Sequence, residues 1–233
     1  MKTLTALIPL FNEGRTIAEL VRQLDALPMG ILTECIFVDD GSTDSSSKLL
    51  AQALQGVHFK SQIISKANGG NASAIKEGAK ALTSTHVVIL DSDLELATAD
   101  IEKLWNVVLA GEYDYVIGYR KFLSHSSFSY RFSRGNQLIS NIYGALFNEV
   151  ITDILCGYKL VPSSILKSLK LENRNLEIEI TMQMWLRHQR PFEVNVAYRA
   201  RTRHQGKTIS ALHGLTVIVS MFAFRLSNNR TKI

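Results

Sequence analysis

HVVILDSDLE, residues 86–95, decides how this sequence folds. Its first five residues read as a buried strand, and three carboxylates follow within five positions: Asp91, Asp93 and Glu95. Like charges crowded at the end of an apolar strand repel one another unless something positive, or a solvated turn, accommodates them. The same signature recurs upstream. ECIFVDD (34–40) is a second apolar run ending in acids, Asp39 and Asp40. In a parallel sheet all strands end on one edge, and ligands bind in the crevice there. Two acid-tipped strands therefore predict four carboxylates gathered on one edge of an α/β sheet.

The rest of the first hundred residues fits that reading. TLTALIPL (3–10) is a buried strand, followed by NEGRTIAELVRQLDAL with Ile17, Leu20, Val21, Leu24 and Leu27 at helical spacing. GST makes a turn after the second strand, and DSSSKLLAQAL is a helix with Thr43 or Asp44 as its N-cap. FKSQIIS (59–65) is a third strand, and NGGNASAIKEGAKAL (68–82) is a Gly-rich loop running into a helix. This β-α-β-α alternation predicts a parallel, right-handed sheet.

After residue 100 the pattern changes. ADIEKLWNVVLAG is helical, YDYVIGYR is a strand, and SYRFSRGNQLISNIYGALF is a longer helix with Arg131 and Arg134 near its start and Lys121 upstream. GYKLVPSSILKSL gives a strand and a short helix, EIEITMQMWLRHQ a helix and FEVNVAY a strand. RARTRHQGKT (199–208) is a strongly basic loop, and SALHGLTVIVSMFAFRL a final apolar helix. With no internal repeat or low-complexity linker, the chain reads as one main domain over 1–211 and an apolar helix with a basic tail over 212–233.

Composition narrows the function. The chain has 233 residues, 46% hydrophobic and 20% charged, as expected for a globular domain. Two cysteines, Cys35 and Cys156, form neither a metal-ligand spacing nor a disulfide framework, which suits a reducing cytosol. The start MKTLTALIPLFNE lacks the small-residue cleavage site of a signal peptide. The stretch GLTVIVSMFAF (214–224) is shorter than the roughly 20 residues that span a bilayer. A formal charge of +5 points to a polyanionic partner: an anionic membrane, phosphorylated ligands or nucleic acid. Nucleic acid is disfavoured, since no aromatic-interleaved basic surface or recognised motif is present.

A lone D-x-D is as compatible with helix caps and a solvated turn as with a metal site. Alternation along an extended segment lets Asp91 and Asp93 point the same way with Ser92 away, and a Mg²⁺ or Mn²⁺ ion shared with substrate phosphates would resolve the repulsion.

The order of features adds weight. PLFNE, VDDGSTD, NGGNASAIKEG and LDSDLE, each following a strand, resemble the family 2 glycosyltransferases of the GT-A fold, and most of all their dolichol-phosphate-mannose-synthase-like branch. The second half continues the likeness. VIGYRK resembles a G-S-R loop, SRGNQLISNIYGALF an S-R-x-x-N helix, and TDILCGYKLVPSSIL a T-D-x-x-C/S-G-F/Y-R/K stretch. LEIEIT resembles F-E-x-E-I-T, and YRARTRHQGKTI a Y-x-x-R-x-x-x-E-G-K-K-I motif. The resemblance runs from about residue 4 to about 225.

It implies inverting transfer of a sugar from a nucleotide sugar (of GDP-mannose, UDP-glucose or UDP-GlcNAc type) to a polyprenyl phosphate. Pro9, Phe11, Glu13 and Asp40 would hold the nucleoside, with Asp39 pinning the loop. Phe11 fits core packing as well as base contact. Asp91 and Asp93 would carry the metal to the donor diphosphate, with Asp93 counted among the catalytic groups. Glu95 would complete the metal shell or serve as a first-turn helix acid. Arg120 and Arg134 match positions that bind the acceptor phosphate, and Arg201 and Lys207 fall in a loop over the diphosphate. Asp153 matches an acid near the anomeric carbon, as base or as orienting group. The third loop departs from N-x-G-K-G, with Asn71 and Ala72 in place of Lys and Gly, which removes one basic phosphate contact.

The implied setting is the cytoplasmic face of a membrane. The apolar segment 212–226 would bind the lipid surface, dock on a membrane-embedded partner subunit, or pack on the chain's own core. Homo-oligomer formation stays open. The competing readings are a GT-A transferase with a glycan acceptor and a non-catalytic nucleotide-sugar-binding module. The Arg120 and Arg134 pair argues against the first, and the basic second half against the second.

Overall fold

The computed structural model describes residues 1–121, 130–169, 175–199 and 211–228. Strands β1 (Leu4–Leu10), β2 (Glu34–Asp39), β3 (Lys60–Ser65) and β4 (His86–Ile89) alternate with helices α1 (Ile17–Asp25), α2 (Ser46–Ala53) and α3 (Asn71–Ala81). Helix α4 (Asp100–Ala110) leads to β5 (Val116–Arg120), and α5 (Tyr130–Phe147) follows. Then come β6 (Lys159–Pro162), α6 (Ser163–Ser168), α7 (Leu176–Leu186), β7 (Phe192–Val196) and α8 (Ala211–Ser227).

The strands form one sheet in the order β3-β2-β1-β4-β6-β5-β7. β1 pairs in parallel with β2 and β4, β2 with β3, and β5 with β7. The first four strands are parallel, as their alternation with helices predicts, and the sheet is mostly parallel; β6 is antiparallel to both β4 and β5. Lys159, its first residue, stands opposite Ile89, the last residue of β4. The chain thus re-enters the sheet at the edge where β4 ends, so β6 must run the other way.

Alternate residues of each central strand feed two apolar layers, as a sheet covered on both faces requires. Leu4, Ala6, Ile8 and Leu10 of β1 pack with Phe37, Val88, Leu20 of α1, Leu50 of α2 and Trp105 of α4. Leu7, Ile36, Val38, Val87 and Ile89 face the opposite layer, with Ile75 of α3, Tyr143 of α5 and Ile178 of α7. α3 lies very close to the sheet: a Cβ on Gly78 would stand 2.4 Å from Leu7 Cδ1, so any larger residue would have to displace the core side chains there.

α8 joins the second layer. Val217 and Met221 are fully buried, and the Arg225 guanidinium caps the Leu146 carbonyl at 2.9 Å and lies over the Trp185 ring. The helix packs on α5 and α7. Its other face exposes Leu215, Val219, Phe222 and Leu226, spaced by four, three and four residues and so aligned in one stripe. No helix among the described residues is long and apolar enough to cross a membrane.

Candidate active site

The C-terminal ends of β1, β2 and β4 and the N-terminus of α3 enclose a cleft of about 410 Å³. Five of the residues expected to handle the donor line it: Pro9, Phe11, Glu13, Asp40 and Asp91; Asp93 lines it as well. Phe11 is 46% exposed on the cleft wall, so it is no core residue. Asn68, Gly70, Asn71 and Ala74 of the Gly-rich loop and α3 also line the cleft; the loop was expected near the donor phosphates, with Asn71 in place of a lysine, while Ala74 was not singled out.

Three loops are stitched together around this cleft. Asn12, held at a positive φ of 55°, donates its amide to Ser42 Oγ and accepts from the Thr43 amide at 2.8 Å through Oδ1. The Thr16 hydroxyl donates to the Ser92 carbonyl at 2.9 Å, and the Ser92 hydroxyl to the Pro9 carbonyl at 2.9 Å. Ser92, expected to point away, is thus a tie between β1 and β4, and it also lines the cleft.

The two acids at the end of β2, Asp39 and the following Asp40, divide their work differently from expectation, since both pin loops. Asp39 accepts from the Ser42 amide at 2.9 Å and from the Ser47 hydroxyl. Partial burial would raise its pKa, but these hydrogen bonds outweigh it and hold the carboxyl below its usual range. Asp40 accepts the amides of Gly69 and Gly70 at 3.0 and 2.7 Å, and the ammonium of Lys66. Lys66 therefore supplies a cation to this loop, five residues before the Asn71 that stands in place of a lysine.

Asp93 Oδ1 accepts the Glu95 amide at 3.0 Å, which shapes the turn. Glu95, expected as a third metal ligand, is turned elsewhere: its carboxylate accepts the Tyr198 hydroxyl at 2.6 Å, and it does not line the cleft. The backbone agrees, since the Arg199 amide donates to the Glu95 carbonyl at 2.7 Å and Leu96 bridges to Tyr198. Among the described residues no group of three or more His, Cys, Asp or Glu side chains is arranged to hold a metal ion. The donor set that remains, the two hard carboxylates Asp91 and Asp93, fits a small divalent cation that takes the rest of its shell from phosphate oxygens and water.

Beyond the cleft, Arg120 and Asp153 form a buried fork. The guanidinium donates from Nε to Oδ2 at 2.6 Å and from Nη2 to Oδ1 at 2.9 Å, and the Arg120 amide adds a bond to Oδ2 at 3.1 Å. Asp153 is fully buried, and the Arg120 guanidinium lies 5.0 Å from the Tyr198 ring centroid. Burial would lower the guanidinium's pKa; the Asp153 charge and hydrogen bonds overcome it and leave the pKa raised. Arg120, expected on the acceptor phosphate, and Asp153, expected near the anomeric carbon, are thus each other's partners. Arg134 is exposed on the first turns of α5 and donates to Gln137 at 3.3 Å. Arg201 and Lys207 lie outside the described residues.

Residues 5–169, well over half the chain, match the family model described as Glycosyl transferase family 2. The chain belongs to glycosyl transferase family 2. Among curated proteins it is 28% identical over 222 residues to the undecaprenyl-phosphate 4-deoxy-4-formamido-L-arabinose transferase of Edwardsiella ictaluri, covering 93% of this chain and 65% of that protein. It is 34% identical over 147 residues to the protein of the same name in Sodalis glossinidius, covering 61% of this chain and 44% of that one. The chain therefore spans less than two thirds of the length of these two relatives. An uncharacterised protein of Methanocaldococcus jannaschii is 26% identical over 181 residues, covering 71% and 74%. Among solved structures, glucosyl-3-phosphoglycerate synthase from Mycobacterium tuberculosis in complex with UDP superposes with a TM-score of 0.77 at 20% identity, over 96% of this chain and 80% of that one. The same enzyme with Mn²⁺, UDP and phosphoglyceric acid gives 0.74, over 96% and 78%. The family 2 fold expected from the ordered motifs is the fold observed.

Proposed function

We propose that this family 2 chain transfers a sugar, with inversion, from a nucleotide sugar to a polyprenyl phosphate at the cytoplasmic face of a membrane, with Mg²⁺ or Mn²⁺ as cofactor. The observation that carries the acceptor class is the match of 93% of the chain to an undecaprenyl-phosphate sugar transferase. The donor class is supported by the cleft itself, about 410 Å³ in volume and lined by Phe11, Asp40, Asp91 and Asp93 together.

In this reading Phe11 offers a face to the base, Glu13 accepts from a ribose hydroxyl, and the stitched loops keep both in place before the donor arrives. Asp91 and Asp93 hold the cation, whose charge, when it is bound, stabilises the departing nucleoside diphosphate. Arg201 and Lys207 cover the diphosphate, and Arg134 takes the acceptor phosphate with Arg120. Asp153, locked in its fork, positions Arg120 and does not serve as a base. A phosphate nucleophile is already ionised near neutral pH, with a second pKa of about 6, so none is needed. Glu95 holds Tyr198, at the root of the basic loop.

Purified protein given Mn²⁺, labelled UDP- and GDP-sugars, and undecaprenyl or dolichyl phosphate should form a lipid-linked product. Transfer to a glycan, with none to lipid phosphate, would overturn the acceptor assignment. Arg134→Ala should raise the acceptor KM roughly ten- to hundredfold, the effect of losing a charged hydrogen bond worth about 1.5–3 kcal/mol, with nucleotide affinity unchanged. The reverse pattern would move Arg134 to the donor side.

We assign residues 212–233 to the membrane side. The exposed stripe Leu215, Val219, Phe222 and Leu226 would enter the interface, supported by Arg230 and Lys232 at up to about 1 kcal/mol each with anionic lipid. Because the opposite face of α8 is core, point changes test this better than deletion. Val219→Ser with Phe222→Ser should cut flotation with anionic liposomes several-fold at an unchanged melting temperature. Undiminished flotation would mean that the stripe does not meet lipid.

A further inference from the structure

The segment entering β6 passes directly against the carboxylate of Asp91. A Cβ added to Gly157 would stand 2.6 Å from Asp91 Oδ2, closer than real Cβ contacts come. The next neighbour, Leu96 Cδ1, would be at 3.4 Å, an ordinary contact. Gly157 is not among the glycines with positive φ, so its backbone conformation is open to any residue. Glycine is therefore needed here for the sake of the Asp91 carboxylate and for no reason of backbone geometry. Asp91 faces the donor cleft on one side, and on the other a narrow cavity shared with Gly157, Lys159 and Glu177.

Gly157 is fixed from behind. The ammonium of Lys159, fully buried, donates to the carbonyls of Ile154 and Cys156 at 3.2 and 2.8 Å. The Gly118 amide donates to the Tyr158 carbonyl at 3.0 Å, and Lys159 is in register with Ile89 of β4. Backbone on both sides of Gly157 is thus tied to the sheet. A side chain at 157 would press on the end of the Asp91 side chain, while the backbone behind it is held.

We propose that Gly157 is a positioning residue for sugar transfer: its bare backbone sets the orientation in which the Asp91 carboxylate meets the cation. The proposal rests on the reading of Asp91 as a cation ligand.

The test is a cycle of Gly157→Ala, Asp91→Ala and the double variant, measuring Mn²⁺ binding by the electron paramagnetic resonance of the free ion in the presence of UDP and, in parallel, GDP. Gly157→Ala should weaken Mn²⁺ at least tenfold and lower turnover with it. Metal-free nucleotide affinity should hold, and the melting temperature should shift by no more than a few degrees. In the Asp91→Ala background the same change should do nothing further, because the atom it displaces is gone. Wild-type Mn²⁺ affinity in Gly157→Ala would overturn the inference, as would an equal additional loss in the double variant. Wild-type Mn²⁺ affinity in Asp91→Ala would instead sink the metal reading on which the inference stands.

Discussion

Asp91→Ala is expected to reduce turnover by roughly 100- to 1,000-fold, the usual effect of removing one preorganised electrostatic group from a reacting centre. For Asp93 the matching change is Asn. Asp93 Oδ1 accepts the Glu95 amide, and Asn keeps that acceptor while removing the charge. Asp93→Asn should lose turnover to a similar degree. Steady-state rates with metal-stripped and Mn²⁺-supplemented protein are the measurement. Turnover insensitive to chelation in the wild type, or near-normal rates in either variant, would remove the cation from the site.

Arg120→Ala should be the most destabilising single change near the site. It would leave the fully buried carboxylate of Asp153 without its counter-charge and with only the backbone amide of residue 120 among the three hydrogen bonds described. Breaking a buried pair from one side costs about 3–5 kcal/mol, and for a chain of this size each kcal/mol moves the melting temperature by about 2–4 °C. The double change Arg120→Met with Asp153→Leu should recover much of that loss, since well-packed apolar replacements leave no charge stranded. Thermal melts of the single and double variants check the energetics. Sugar transfer should stay low in all of them if Arg120 also meets the acceptor phosphate. A double variant as unstable as Arg120→Ala would mean that the fork matters through shape and not through charge.

The first half of the fold was legible because three of its four strands, β1, β2 and β4, are buried on both faces. Such strands appear as unbroken apolar runs, and the acids at their ends stand out against them. Of the four acids expected on one edge from strand order and direction, Asp40, Asp91 and Asp93 line one cleft, while Asp39 turns to Ser42 and Ser47; Glu13, expected from the family resemblance, lines the cleft as well. The pairings that shape the site were not legible. Arg120 with Asp153, Glu95 with Tyr198 and Lys66 with Asp40 lie 33, 103 and 26 residues apart. No local period encodes them. Glu95 was read with its sequence neighbours, yet the turn at Leu94, with φ of 60°, directs it away from them towards the end of β7. Gly157 passed unremarked in a motif because its meaning depends on an atom 66 residues earlier.

The antiparallel β6 has a consequence for how the chain reaches its native state. Among the described strands, β6 alone joins the quartet β3-β2-β1-β4 to the pair β5-β7. β5 precedes β6 in the chain, yet it has no native place beside β4 until β6 arrives between them. The sheet therefore cannot grow strand by strand in the order of synthesis. The first ninety residues contain a complete four-stranded set, and it waits with the edge of β4 open while some seventy more residues emerge. An open strand edge invites pairing with another chain, and long-range closure is slow. A four-residue strand is thus the keystone of assembly, and the exposed flank of β4 is where a nascent chain is most open to going astray.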